Sequence, residues 1–135
     1  MFELAAQALA YSGVGIAILV AGYFVVDILT PGHLGRQVAE GNPNAAILVG
    51  ATLISLGLIE YFAIYFTGAG WSGLDDALVF GILGVVVQAV GFLVLVAISP
   101  GRFAATVMSE RFHPVSVVAA SAQIGVALIV CASLT

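Results

Sequence analysis

The side chain in this sequence best placed to do chemistry is Glu60, a single carboxyl set in the apolar run AAILVGATLISLGLIEYFAIYF. An ionisable group inside such a run is costly in hydrocarbon and is therefore a candidate for handling a proton or a cation. It lies about 16 residues into its helix, roughly 24 Å from the start at about 1.5 Å per residue, which puts it in the far third of a bilayer. Antiparallel neighbours bring Tyr11, Ser12 and Cys131 to that depth, and a Tyr11 or Ser12 hydroxyl is the expected hydrogen-bond partner. The plainer alternative is a carboxyl that bonds or snorkels near the interface and has no part in transport.

Gln88 and Gln123 are the next polar residues of interest, each about ten residues from the same end of its helix and so near the midplane. Gly81, Gly84 and Gly91 flank the first; Ser116, Ala119, Ala120 and Ala127 flank the second. Small residues let helix backbones approach, and an amide across such a seam supplies an interhelical hydrogen bond. Packing explains this pair better than a solute pathway does. Asp27, at the end of its helix, is expected to form a cap or an ion pair with Arg36 or His33.

No catalytic set emerges from the remaining residues, and the chain is not expected to be an enzyme. His33 and His113 stand in separate connections without matched carboxylates, a weak basis for a metal site. The one cysteine, Cys131, has no partner for a disulfide and reads as a small buried side chain. There is no phosphate loop, nucleophile elbow or paired-histidine zinc motif, so no cofactor is expected.

The elements that position these residues follow from composition. Hydrophobic residues make up 62% of the 135 residues and charged ones 7%, against about 25% charged in an ordinary soluble domain. Lipid must stand where water would. The expected fold is an all-α integral membrane protein, a single domain over residues 1–135 with four transmembrane helices near residues 5–29, 45–67, 76–98 and 114–134. The amino-terminal run lacks a basic flank and carries Glu3, so it reads as a retained span rather than a cleaved signal. With three basic residues and a net charge of −4, nucleic-acid binding is excluded.

Those three, Arg36, Arg102 and Arg111, all fall in the first and third connections. The positive-inside rule places these in the cytoplasm and puts both termini and the second connection outside, with Glu3, Trp71, Asp75 and Asp76.

The chain also matches itself at an offset of 69 residues: Tyr11 on Phe80, Gly15 on Gly84, Gly22 on Gly91, Pro31 on Pro100 and Gly32 on Gly101. A two-residue gap then sets Asn42-Pro43 against His113-Pro114. The expected architecture is a parallel tandem repeat of two-helix units, about 5–67 and 76–134, related by an axis along the membrane normal. After each first helix, Thr30-Pro31-Gly32 and Ser99-Pro100-Gly101 would start a short cytoplasmic interfacial helix, with Leu34 and Val38, or Phe103 and Val107, against the headgroups.

The turn DILTPG and the opening GNPNAAIL, on Asp27 to Pro31 and Gly41 to Ile47, resemble the YjfL-type bacterial membrane family, the domain of unknown function numbered 350. The second copy departs from that pattern, with Val96 where Asp27 stands and His113-Pro114 in place of Asn42-Pro43. The resemblance implies a multi-pass protein of the bacterial inner membrane and, as a partner, an envelope-stress protein of the phage-shock type. Two functions fit these residues. One is a channel or transporter subunit whose path, lined by Glu60 and the glutamines, is completed in a homo-oligomer. The other is a scaffold or accessory subunit whose cytoplasmic face, carrying Asp27, Arg36, Asn42, Asn44, Arg102 and Arg111, recruits the partner.

Overall fold

The computed structural model describes residues 2–29, 34–66, 70–98, 111–112 and 114–134. Within them the chain forms α1 (Phe2–Leu29), α2 (Leu34–Ala39), α3 (Pro43–Phe66), α4 (Gly73–Ile98) and α5 (Pro114–Ser133). Four of these helices, α1, α3, α4 and α5, are long and apolar enough to cross a membrane.

Local chemistry fixes the helix ends. α2 closes in a Schellman arrangement, with Asn42 N–H donating to the Gln37 carbonyl at 2.9 Å and Gly41 N–H to Val38 at 3.0 Å. Gly41 takes φ 85°, a left-handed conformation that a side chain would strain. Asn42 then caps α3, its Oδ1 accepting the amides of Asn44 at 2.9 Å and Ala45 at 3.3 Å, with Pro43 in the first helical position. Asp75 and Asp76 occupy the first turn of α4, where the helix dipole favours negative charge.

Burial is arranged for lipid rather than water. Ile16, Val20, Phe24, Ile54, Val86, Val90 and Ile129 are exposed, whereas Asn44, Thr52, Ser55, Glu60, Gln88, Ser116 and Gln123 are buried. In hydrocarbon, polar side chains gain by turning inward to one another and large apolar ones lose nothing by facing out.

The helix α3 packs against every other helix, most extensively α5; α4 also touches both α1 and α5, which leaves those two at opposite corners. Gly15 beside Glu60 and Gly22 beside Leu56 show that α1 and α3 run antiparallel. The interior is layered. At the arginine end Val26, Ala45, Leu48, Phe92 and Ala119 form one apolar cluster; at the aspartate end Ile59, Ala127, Val130 and Cys131 form another. Tyr61, Phe62, Tyr65 and Phe66 add a stacked aromatic group at the aspartate end, suited to a membrane interface.

The short α2 stands where the first interfacial helix was expected. The second interfacial helix expected in the third connection, with Arg102, Phe103 and Val107, falls outside the described residues, as do His33, His113 and the two Pro-Gly pairs.

Candidate functional site

Glu60 sits on the face of α3 turned toward α1 and α4, and only 3% of it is exposed. Glycines make the room. A Cβ on Gly81 of α4 would lie 2.5 Å from Glu60 Oε2 and 2.8 Å from Ile18 Cγ1, and a Cβ on Gly15 of α1 would lie 3.7 Å from Glu60 Cγ. Among the described residues no hydrogen-bond donor reaches either carboxyl oxygen of Glu60. A buried acceptor left without a partner costs about 1–3 kcal/mol, and more if charged, so the fold retains this group at a loss in stability.

Glu60 also forms part of the wall of a groove of about 630 Å³ between α1 and α3, whose other lining residues include Tyr11, Ser12, Gly15, Ile16, Gly57 and Tyr61, while its carboxyl oxygens are buried and Oε2 lies against Gly81 of α4. Tyr11 and Ser12, the expected partners, are thus beside Glu60 but do not bond to it. The Tyr11 hydroxyl donates instead to the carbonyl of Gly70 at 2.7 Å. The reason is register: Gly15 is the α1 residue level with Glu60, and Tyr11, one turn further out, reaches the turn between α3 and α4. Ser12 is exposed on the groove wall. Cys131 packs on Ile59 in the apolar cluster of the aspartate end.

Gln88 and Gln123 do meet near mid-bundle, but not amide to amide. Gln88 Nε2 donates to the backbone carbonyl of Gln123 at 3.0 Å, while the Gln123 side chain lies 2.7 Å from Thr52 Oγ1. Thr52 Oγ1 is also 2.9 Å from the Leu48 carbonyl, and its single proton serves one acceptor at a time. Thr52 was not singled out from the sequence, although a hydroxyl in an apolar run is the signal that marks it. Ser55, buried one turn further along α3, has no hydrogen-bond partner among the described residues.

The residues expected on a recruiting surface divide. Arg36 is exposed. Asn42 and Asn44 are 4% and 0% exposed and hold the fold together, Asn42 by capping α3 and Asn44 by donating to the Arg111 carbonyl at 2.7 Å. Asp27 accepts the Gly35 amide at 3.1 Å, which ties α1 to the start of α2. Arg111 is exposed, and Arg102 lies outside the described residues.

Comparison with known proteins agrees with the membrane reading. The model of the family described as Domain of Unknown Function (DUF350) matches residues 1–134. A UPF0719 transmembrane protein of Mycobacterium bovis is 35% identical over 127 residues, covering 93% of this chain and 84% of its own. Another from Mycolicibacterium paratuberculosis is 36% identical over 107 residues, covering 77% and 70%. No solved structure matches.

Proposed function

The chain belongs to the DUF350 family of transmembrane proteins, and from that premise we propose that it is a transport or channel subunit whose working group is the Glu60 carboxyl. The observation that carries this reading is that Glu60, only 3% exposed and with neither carboxyl oxygen hydrogen-bonded among the described residues, lines an open groove between α1 and α3. Structural carboxyls in membranes are ordinarily paired; one held without a partner is poised to take up and give up a proton or cation.

One copy buries too few polar side chains to line a path alone, so the working unit is a homo-oligomer, its copies meeting on faces other than the groove between α1 and α3. The arginine end faces the cytoplasm of a bacterial inner membrane, which the segregation of Arg36, Arg102 and Arg111 supports. The two-helix units form a tandem repeat, supported by the 69-residue self-match. The scaffold reading is weaker, because Asn42 and Asn44 are buried and engaged internally.

The test is flux. Purified protein in liposomes carrying a pH-sensitive dye should dissipate an imposed proton gradient, and Glu60→Gln, nearly isosteric but unable to titrate, should lose that activity while keeping its helical content and oligomeric state. Equal flux from the Gln variant would remove Glu60 from the mechanism.

A further inference from the structure

Two residues of the groove wall are glycines where an added Cβ would meet no tight contact. A Cβ on Gly57 of α3 would meet nothing within 4 Å, and one on Gly15 of α1 would make only ordinary contact with Glu60 at 3.7 Å. Each costs its helix about 1 kcal/mol relative to alanine without a close approach that requires it. Contrast Gly81 and Gly84, where a Cβ would fall 2.5 and 2.7 Å from its neighbours. What Gly15 and Gly57 provide is the open volume of the groove itself. At about 630 Å³ it lies within the roughly 300–1,000 Å³ range of small-molecule sites.

The lining states the chemistry of the occupant. Ile16, Leu19 and Ile64 give apolar walls, and Tyr11 and Tyr61 give aromatic rings. Glu60 gives one buried acceptor whose oxygens have no donor among the described residues. A bare inorganic cation is a poor match, since a hard ion takes about six or more oxygens and the side chains of the wall offer one carboxylate and the hydroxyls of Tyr11, Ser12 and Tyr61. An apolar body carrying a single positive charge satisfies every feature: the body fills the groove, the rings attract the charge, and the carboxylate neutralises it.

We propose that the groove between α1 and α3 binds an amphipathic organic cation, one positive charge on an apolar body, which enters sideways from the lipid and pairs with the Glu60 carboxylate as that side chain turns from Gly81 of α4 into the groove. This rests on the reading of Glu60 as the proton or cation site and names the ligand class of that site. Cation and proton then compete for one carboxylate, which couples uptake of one to release of the other. Around Glu60, α1 presents Gly15 and Ile18 and α4 presents Gly81. The titratable groups on the groove wall besides Glu60 are the Tyr11 and Tyr61 phenols, and Asp75 and Asp76 lie more than one turn from Gly81 at the start of α4.

The experiment measures binding of tetraphenylphosphonium to the protein in phosphatidylcholine nanodiscs, empty discs subtracted, with tetraphenylborate as the anion of the same shape. Saturable binding of the cation alone is expected, weakening up to tenfold per pH unit as protons displace it. Glu60→Gln and Gly57→Leu, which fills the groove and leaves the carboxyl, should each weaken binding at least tenfold, with Gly57→Ala as the folded control. Absence of saturable binding, equal binding of the anion, or unchanged binding in Glu60→Gln would overturn the proposal. The infrared carboxylic-acid band that Glu60→Gln removes separates the two readings. A band that titrates, with proton flux lost in the Gln variant but no cation bound, overturns the ligand class and leaves the proton site standing; no titration and no flux overturns both.

Discussion

The polar layer at mid-bundle gives a prediction in which two residue pairs at the same depth must behave differently. Gln88 donates to the backbone carbonyl of Gln123, whereas the Gln123 side chain pairs with Thr52. Gln123→Leu therefore leaves the acceptor of Gln88 in place and removes the partner of Thr52. Each interhelical bond inside a membrane is worth about 0.6 kcal/mol on average and up to about 1.7. Gln88→Leu should cost that amount, because only the donor is lost and the Gln123 carbonyl remains inside its own helix. Gln123→Leu should cost a similar amount, softened because the Thr52 hydroxyl keeps the Leu48 carbonyl at 2.9 Å. Gln88→Leu with Gln123→Leu should then add to within about 0.5 kcal/mol, as independent bonds do, while Thr52→Val with Gln123→Leu should fall short of the sum by about 0.6 kcal/mol or more. Equilibrium unfolding of the single and double variants in bicelles measures both cycles. Strong coupling in the Gln88 cycle, or none in the Thr52 cycle, would refute the bonding pattern.

Glycine substitutions should split by environment. Gly81→Ala should destabilise by about 1–3 kcal/mol through overpacking on Glu60 and Ile18, whereas Gly125→Ala, where a Cβ meets nothing within 4 Å, should stabilise by about 0.4–1 kcal/mol in the same unfolding assay. Asn42→Ala removes the cap that holds two α3 amides and should cost about 0.5–2 kcal/mol, with faster amide exchange confined to the first turn of α3. For orientation, in a Cys131→Ala background a cysteine replacing Arg36 should resist an impermeant thiol reagent added to intact cells and one replacing Trp71 should label; labelling at position 36 would reverse the topology.

Membrane helices were legible because length and hydropathy decide them: the expected spans at 5–29, 45–67, 76–98 and 114–134 meet helices at Phe2–Leu29, Pro43–Phe66, Gly73–Ile98 and Pro114–Ser133. The start of α3 was legible too, since asparagine before proline is a cap followed by a first helical residue. What could not be read was rotation. These helices are apolar on all sides, so hydrophobic periodicity does not say which face turns inward, and depth alone set Tyr11 and Ser12 against Glu60. The register instead puts Gly15 level with Glu60 and gives the Tyr11 hydroxyl to Gly70. Small residues were the better guide, because Gly81 and Ala127 mark seams where backbones meet. Asn44 was misassigned for a related reason: a polar residue near a helix start reads as surface, and only the third dimension brings the Arg111 carbonyl to it.

On the proposed mechanism the unpartnered Glu60 carboxyl turns into the groove and meets molecules dissolved in the lipid. Reaction with a hydrophobic carbodiimide measures this directly: the carboxylic acid adds across the reagent, the proton going to nitrogen and the carboxylate oxygen to the central carbon, and rearrangement leaves a stable N-acylurea. Peptide mass mapping of protein labelled in liposomes should find the adduct on Glu60, absent in Glu60→Gln, and slowed in Gly57→Leu, where the groove is filled. Modification confined to Glu3, Asp75 and Asp76, with Glu60 untouched, would contradict the account.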